Sequence, residues 1–294
     1  MSRTDESQGA TVHSPIELRL HPFRRPDRRL ASAHVKPVLF PLGDVSVHSF
    51  GVLVALGFLV GLASAAYNAR RTGLNGEVVY DLAPWLVGAG LIGARLMYVI
   101  SYWDRDFAGR PLREACAVWN GGLVFYGGLI LASLVGLWRI RAMKLPLWTM
   151  ADCLAPGIAI GHTFGRIGCL LNGCCFGRPT SLPWAIHFPA NHSTAGAGLH
   201  PTQVYESLLN LAFFGLLMWA FPRRRFPGQI FGLYLVGYAL LRAVTEWFRG
   251  DYEYISRPVA GVLTPGQSTS VLILVAGLAL LLVLRPKPGL RGAA

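Results

Sequence analysis

Long apolar segments, separated by short polar breaks, run through most of the chain. Seven of them approach the ~20 residues that an α-helix needs to cross the hydrocarbon core of a bilayer. They cover roughly residues 48–67, 82–102, 121–138, 151–171, 203–221, 229–248 and 268–285. Several contain closely spaced glycines, such as Gly57 and Gly61, which allow close helix contacts in lipid. The pattern predicts an all-α membrane protein, a bundle of about seven transmembrane helices.

The charged residues in the polar breaks predict how this bundle is oriented. One set of breaks is basic and contains no acidic residues between its bases: Arg70, Arg71, Arg139, Arg141, Lys144, Arg223, Arg224, Arg225, Arg285, Lys287 and Arg291. The breaks at 104–114 and 249–257 mix bases with acids. By the positive-inside rule the first set is cytoplasmic, which places the N-terminus outside and the C-terminus inside. The polar segment 177–202 is then expected to form a small extracytoplasmic cap.

The first 37 residues differ in character from the rest of the chain. They are polar, rich in arginine and proline, and lack the apolar core of a signal peptide. We expect residues 1–37 to be a disordered basic tail or an over-extended start. Their arginines argue against an outside N-terminus, but the four basic breaks agree with one another and outweigh them. Residues 38–290 are predicted to form one transmembrane domain.

The composition agrees with a membrane protein and argues against nucleic-acid binding. The chain has 294 residues, of which 53% are hydrophobic and 14% are charged. Soluble domains carry about 25% charged residues. The net charge of +12 alone would suit a nucleic-acid partner. However, the bases lie in the breaks, and no nucleic-acid motif or aromatic–basic groove accompanies them. The expected partner is therefore the lipid bilayer.

Three arginines fall inside or at the ends of the predicted helices: Arg95, Arg166 and Arg242. A charge near hydrocarbon costs free energy, so each arginine is a candidate functional residue. Simpler explanations are available for two of them. Arg95 could extend to the interface, and Arg242 could pair with Glu246 one helical turn later. Arg166 has glycines nearby on both sides, which allow a ligand to approach closely. Together the arginines indicate a site for an anionic headgroup, since guanidinium matches phosphate oxygens bidentately.

Two predicted helix starts carry further polar candidates. The segment from His200 to Glu206 has a proline in its first turn, which is ordinary for a helix start. In the functional interpretation, His200, Gln203 and Glu206 line a polar opening at the outer interface. Tyr126 lies between two glycine pairs at the start of the third helix. Interfacial tyrosines are common, but these glycines indicate that something passes close to the phenol.

The five cysteines do not suggest a disulfide framework in so apolar a chain. Cys169, Cys174 and Cys175 follow Arg166 closely, but they lack the paired C-x₂-C spacing of zinc sites, and adjacent cysteines are awkward ligands. We therefore expect no metal. Packing as small apolar side chains is the favoured interpretation. A Cys169–Cys174 disulfide on an oxidising face is the alternative.

Taken together, the motifs resemble those of the prolipoprotein diacylglyceryl transferase family, integral enzymes of the bacterial inner membrane. The resemblance runs from about Val38 to the last predicted helix. Its most specific part is the stretch 165–177, which is similar to the family signature G-R-x-G-x-x-x-N-G-x-x-x-G. The order and spacing of five other blocks agree: 47–51, 93–95, 121–128, 200–206 and 237–249.

The resemblance implies a reaction and its partners. Such enzymes take phosphatidylglycerol from the membrane and transfer its diacylglyceryl group to the lipobox cysteine of a prolipoprotein. A thioether forms and glycerol phosphate leaves, with no metal or cofactor. The implied partners are phosphatidylglycerol, the prolipoprotein signal peptide with its lipobox, and the bilayer. The implied location is multi-pass in the bacterial inner membrane, with the N-terminus outside.

The resemblance also implies roles for individual residues. Arg166 and Arg242 correspond to the family's essential arginines, and we assign both to the phosphate. Asn172 and Gly177 shape the pocket, and Glu246 orients Arg242. The other residues expected to contact substrate are Arg95, Phe50, His200, Gln203, Glu206 and Arg249.

Two positions depart from the family pattern. Tyr126 stands where the family usually has a histidine, the candidate base, and Phe50 stands where it usually has a tyrosine. Tyr126 could accept a proton only if a cation such as Arg166 or Arg242 favoured the phenolate. Otherwise His200 or a water does that work. The alternatives are a divergent paralogue with an altered substrate, or a membrane protein that binds lipid or peptide without catalysis. A transporter of anionic solutes would show an inverted repeat and broken helices, and we find neither in the sequence.

Overall fold

The computed structural model describes residues 37–42, 45–110, 112–118, 121–250 and 264–286. The predicted tail lies outside these residues except for Pro37, as do residues 287–290 of the predicted domain. The described residues form seven long helices: α1 (Ser49–Arg71), α2 (Glu77–Ser101), α3 (Phe125–Ala142), α4 (Leu147–Asn172), α5 (Thr202–Ala220), α6 (Gln229–Glu246) and α7 (Pro265–Leu284). Six of them, all except α6, are long and apolar enough to cross a membrane. The prediction of an all-α membrane protein is confirmed; seven spans and the orientation stay predictions.

Two small antiparallel hairpins accompany the helices. The first pairs β1 (Val38–Leu42) with β2 (Val45–His48) and leads directly into α1. The second pairs β3 (Ile186–His187) with β4 (Gly198–Leu199), inside the predicted cap segment. Both are short, and the hydrophobic pattern gave no sign of them.

Glycines allow two helix pairs to pack backbone against backbone. Gly61 of α1 faces Gly157 of α4, where a Cβ placed on Gly61 would lie 2.7 Å from the Gly157 carbonyl oxygen. Gly93 of α2 faces Gly127 of α3 in the same way. Such contact is typical of membrane helices that associate through small residues. It confirms the prediction that Gly57 and Gly61 permit close contact, since a Cβ on Gly57 would also meet α4.

The buried apolar core lies at one end of the bundle. At that end α1, α3 and α5 finish while α2, α4 and α6 begin. Its fully buried members include Ala69, Val79, Met150, Phe221 and Ile230. The same end carries the basic side chains in the last turns of α1 and α3.

A buried carboxylate anchors the start of α6 within this core. Asp152 of α4 is 0% exposed and accepts hydrogen bonds from the backbone N–H groups of Gly228 (2.8 Å) and Phe231 (2.9 Å). Its Oδ2 also lies 3.8 Å from Nε of Arg224. A negative charge at a helix N-terminus is stabilised by the free N–H groups and the helix dipole. Asp152 thus links α4 to α6.

Arg95 organises the connection between α2 and α3. Its guanidinium donates hydrogen bonds to four backbone carbonyls, those of Glu114 (2.7 Å), Ala115 (2.8 Å), Gly121 (2.6 Å) and Gly122 (3.2 Å). In the same connection, a hydrogen bond from Arg105 and a weaker contribution from the Tyr98 hydroxyl lower the pKa of the Asp106 carboxyl to about 2. The Arg95 donors thus hold the loop that precedes Tyr126.

Candidate functional site

Four charged side chains form one continuous set of ion pairs between α4, α5 and α6. Nε of Arg166 lies 2.6 Å from Oε2 of Glu206, and Nη1 of Arg242 lies 3.6 Å from Oε1 of the same carboxylate. Nη2 of Arg242 lies 2.9 Å from Oε2 of Glu246. We call these four residues the arginine–glutamate cluster. Two positive and two negative charges balance, as charges held in a low-dielectric environment require.

Helix geometry explains how the cluster is assembled. Arg242 and Glu246 are one turn apart on α6, so their side chains lie on the same face. Glu206 projects from the first turns of α5, where it is 5% exposed. Thr264, the N-cap of α7, donates its hydroxyl to Oε1 of Glu246 (3.0 Å). Four helices therefore converge on the cluster.

A small polar cavity at the cluster and a large apolar groove share one lining residue. The cavity has a volume of about 10 Å³, enough for about one water, and is lined by Arg166, Glu206 and Arg242 together with His162 and Tyr238. The groove has a volume of about 630 Å³ and is lined mainly by apolar side chains of α1–α4, together with Phe231 of α6. His162 lines both spaces. An amphipathic molecule could therefore place an apolar part in the groove and a charged part near the arginines.

The structure places the two departures from the family pattern near this region. Phe50, 41% exposed, packs its ring against Gly168, where an added Cβ would lie 3.0 Å from Phe50 Cδ2. Gly168 follows Arg166 by two residues along α4, so the Phe50 ring packs close to the arginine in sequence. Tyr126 is 58% exposed at the start of α3 and interacts electrostatically with Tyr238. That something passes close to its phenol stays a prediction.

The remaining predicted residues lie where the loop after α4 meets the start of α5. Gln203 donates its side-chain N–H to the Cys174 carbonyl oxygen (2.7 Å). The His200 ring packs against Phe248, with ring centroids 5.4 Å apart. Gly177 lies between these elements, and a Cβ placed on it would come within 2.6 Å of His200. Gln203 and Gly177 therefore shape this end of the bundle through packing and backbone contacts.

Arg249 and Asn172 complete the predicted set. Arg249 pairs with Gly177 in an isolated β-bridge, and its charge interacts with Arg166 and Cys175. Asn172 is the exposed last residue of α4, next to the same loop. Arg95 lies apart from the arginine–glutamate cluster, because its donors are engaged by the α2–α3 connection. Its predicted contact with substrate stays a prediction, and the geometry favours a structural role.

Sequence reasoning assigned no role at the cavity to His162 or Tyr238, two of the side chains that line it. His162 precedes Arg166 by one helical turn, and Tyr238 precedes Arg242 by one turn, so each lies on the same helix face as its arginine. Their rings pack together with centroids 5.3 Å apart. The helical spacing from each arginine was the signal that could have identified them.

Comparison with known proteins reports the same family along nearly the whole described chain. The family model described as prolipoprotein diacylglyceryl transferase matches residues 37–283. A Trichormus variabilis protein named phosphatidylglycerol–prolipoprotein diacylglyceryl transferase is 34% identical over 225 residues, covering 73% of this chain and 79% of the relative. Proteins of the same name from Finegoldia magna and a Synechocystis strain are each 34% identical and each cover 83% of this chain. The matches span 93% and 87% of those two relatives.

Proposed function

The chain belongs to the prolipoprotein diacylglyceryl transferase family, and on that premise we propose that it transfers the diacylglyceryl group of phosphatidylglycerol to a prolipoprotein in a bacterial inner membrane. One observation carries the proposal at the level of the site. Two arginines share the Glu206 carboxylate and line a polar cavity, and His162 in the wall of that cavity also lines a large apolar groove. This arrangement suits a lipid that combines two acyl chains with a phosphate.

The proposed orientation keeps the N-terminus outside and counts α6 as the seventh span. Its Arg242 and Glu246 make α6 less apolar, but they are paired with each other and need no water. The last turns of α1 and α3 and the short turn after α5 carry Arg70, Arg139 and Arg223, which the positive-inside rule assigns to the cytoplasm. The arginine–glutamate cluster then faces the outer half of the membrane, where prolipoproteins arrive.

The phosphate of the lipid takes Arg166 and Arg242 as its partners in this proposal. Because Glu206 already pairs with both guanidinium groups, an arriving anion has to compete with it. Arg249 helps, since its charge acts on Arg166 and is additional to the balanced cluster. A bidentate guanidinium contact gives both strength and orientation to a bound phosphate.

The transfer step is a substitution at the carbon of the diacylated glycerol that is bonded to the phosphate oxygen. The lipobox sulfur forms a bond to that carbon while the carbon–oxygen bond to phosphate breaks, and glycerol phosphate leaves. The thiol proton passes to a base, and the leaving phosphate gains negative charge as the bond breaks. Arg166 and Arg242 stabilise this developing charge, so they act more strongly on the transition state than on the bound lipid.

The proton acceptor that the geometry favours is His162. It lines both the groove and the cavity, the spaces proposed for the acyl chains and for the phosphate. A neutral imidazole can take a thiol proton near physiological pH. Tyr126 and His200, the candidates from the sequence, lie at helix starts near the edge of the site. They stay as alternatives for the test.

Complementation tests the proposed function. The gene is expressed in a bacterial strain depleted of its own diacylglyceryl transferase, and a model lipoprotein is analysed by intact mass. A mass gain equal to one diacylglyceryl group on the lipobox cysteine is the expected result. Unmodified prolipoprotein, from chain shown to be folded and in the membrane, would favour the divergent paralogue. Retained phosphatidylglycerol binding by such a chain would then identify a binding protein without catalysis.

A further inference from the structure

Three cysteine thiols come together at the end of α4, outside the arginine–glutamate cluster. Cys169 lies in the last turn of α4, and Cys174 and Cys175 follow in the loop after it. All three are free thiols, and their sulfur atoms all lie within 4.8 Å of one another. Sulfurs bound to one tetrahedral zinc at about 2.3 Å stand about 3.8 Å apart. Small side-chain rotations would therefore bring all three onto one ion.

The backbone is bent in a way that creates this arrangement. Gly173 ends α4 in the left-handed conformation, with φ of 74°. Cys175 also has a positive φ, 60°, a value shared by few non-glycine residues of the described chain. A side chain with a Cβ adopts this conformation at a cost in free energy, and such strain concentrates at functional positions. Here the bend turns two adjacent cysteines back toward Cys169.

Buried side chains of α5 hold the loop in place. Thr202 donates its hydroxyl to the Cys175 carbonyl oxygen (2.8 Å), and Gln203 donates its side-chain N–H to the Cys174 carbonyl oxygen (2.7 Å). Thr202 is 0% exposed and Gln203 is 1% exposed. Support of this kind around the ligands is characteristic of metal sites, because it fixes the ligand geometry before the ion binds. The thiols are thus presented by a rigid backbone.

The donor set selects the class of ion. Thiolates bind soft cations, whereas Mg²⁺ and Ca²⁺ require oxygen ligands. Iron–sulfur clusters are usually held by four cysteines, and the described residues bring three together here. His192 contacts the same loop, but its two ring nitrogens already face the Gly173 carbonyl oxygen (2.8 Å) and the Thr194 hydroxyl (2.9 Å). Three thiolates suit trigonal Cu⁺, or Zn²⁺ with one further solvent ligand.

We propose that Cys169, Cys174 and Cys175 form a trithiolate site for a soft closed-shell cation, Zn²⁺ or Cu⁺. Three thiolates and one such ion carry a net negative charge. Arg249, whose charge is additional to the balanced arginine–glutamate cluster, interacts electrostatically with Cys175 and offsets part of this charge. The proposal departs from the expectation based on cysteine spacing. That expectation treated adjacent cysteines as poor ligands, and the positive φ of Cys175 removes the objection. The site does not depend on the transfer reaction.

Metal binding by the full chain in detergent tests the proposal. Protein reduced and stripped with a chelator is given Zn²⁺ or, without oxygen, Cu⁺, and the bound ion is measured by mass spectrometry after gel filtration. We expect one ion per chain. Replacing Cys169, Cys174 or Cys175 with serine should reduce retained metal at least tenfold. Cys116→Ser and Cys153→Ser are matched controls that should bind like the wild type. The two ions are compared for retention against a competing chelator.

A second measurement on the unmodified chain covers variants that fail to fold. Bound metal should slow maleimide labelling of the three cluster cysteines, read by peptide mass, while labelling of exposed Cys116 is unchanged. The proposal is overturned if neither ion is retained above the level of the serine variants or if labelling is equal with and without metal. It is also overturned if the chain, purified without reductant, carries a disulfide between two cluster cysteines and binds no ion after reduction. That last result would identify a redox pair.

Discussion

Nε of Arg166 lies 2.6 Å from Oε2 of Glu206. This ion pair joins the last part of α4 to the first turns of α5, whereas the buried apolar core lies at the other ends of these two helices. The glutamate is 5% exposed, and its other oxygen faces Arg242. A phosphate bound by both arginines would compete with this carboxylate for their positive charge. Glu206 therefore has two effects: it holds the guanidinium groups in position, and it competes with the anionic headgroup.

Glu206→Gln should lower the rate of diacylglyceryl transfer at least tenfold. The amide retains one acceptor oxygen but loses the charge that holds two buried arginines, and an unpaired buried charge is strongly destabilising. Transfer to a lipobox peptide and the thermal unfolding midpoint should fall together. Glu77→Gln, an exposed change at the start of α2, is the control. A wild-type rate from the Gln variant would show that the ion pair does not position the arginines.

Arg166→Lys should lower kcat by about 10²–10³, the range found when one donor to a developing oxyanion is lost. Lysine keeps the positive charge but loses the planar fork that contacts two oxygens. The effect should fall on kcat more than on KM, because the phosphate gains charge only as the carbon–oxygen bond breaks. Arg105→Lys, at an exposed site in the α2–α3 connection, controls for loss of guanidinium in general. An effect confined to KM would limit Arg166 to lipid binding.

Part of this organisation could be predicted from the sequence. The seven apolar segments correspond to α1–α7, with ends displaced by up to five residues, because burial in lipid imposes long uninterrupted hydrophobic runs. Arg166 and Arg242 stood out because charge is rare inside such runs. The pairing of Arg242 with Glu246 followed from helical spacing alone.

The rest depended on tertiary contacts that spacing does not encode. Glu206 starts a helix, so its sequence position suggested a polar opening, and only the packing of α4 on α5 brings it to Arg166. The structural role of Arg95 depends on the α2–α3 connection, which folds back and presents its backbone carbonyl oxygens to the guanidinium. The cysteine cluster depends on the left-handed conformation of Cys175, which no residue pattern signals.

His162→Gln should reduce kcat by about 10²–10⁴, the usual contribution of a general base. Tyr126→Phe should stay within a few-fold of wild type, as should the double change Phe50→Tyr with Tyr126→His. A large loss in Tyr126→Phe with His162→Gln near wild type would reverse the assignment. A steep gain from the double change would indicate a site that has lost activity.

Asp152→Ala should destabilise the chain by about 3 kcal/mol while leaving the arginine–glutamate cluster intact. The variant loses two charge-assisted hydrogen bonds and leaves the N–H groups of Gly228 and Phe231 buried without their acceptor. Thermal unfolding in detergent should show the loss, and the rate per folded molecule should stay near wild type. Asp152→Asn keeps one acceptor oxygen, so its thermal stability should lie between those of the wild type and the alanine variant. Unchanged stability in the alanine variant would contradict the assigned role at the start of α6.

Substitution by alanine should affect the stability of the chain differently at two glycines of the stretch 165–177. A Cβ on Gly177 would come within 2.6 Å of the His200 backbone oxygen and 2.8 Å of the Phe248 backbone oxygen, neither of which can move without disturbing the β-bridge to Arg249. A Cβ on Gly165 meets no atom within 4 Å among the described residues. We therefore expect Gly177→Ala to cost about 1–3 kcal/mol of stability, as overpacking typically does.

Gly165→Ala should be nearly neutral in thermal unfolding. Its effect on transfer then becomes informative, because any loss of rate without loss of stability would mean that substrate itself occupies the open space beside Gly165. Measuring both variants for unfolding and for lipid transfer separates the two reasons for a glycine in one motif. Equal destabilisation by both changes would contradict the packing, since only Gly177 is enclosed by neighbouring backbone.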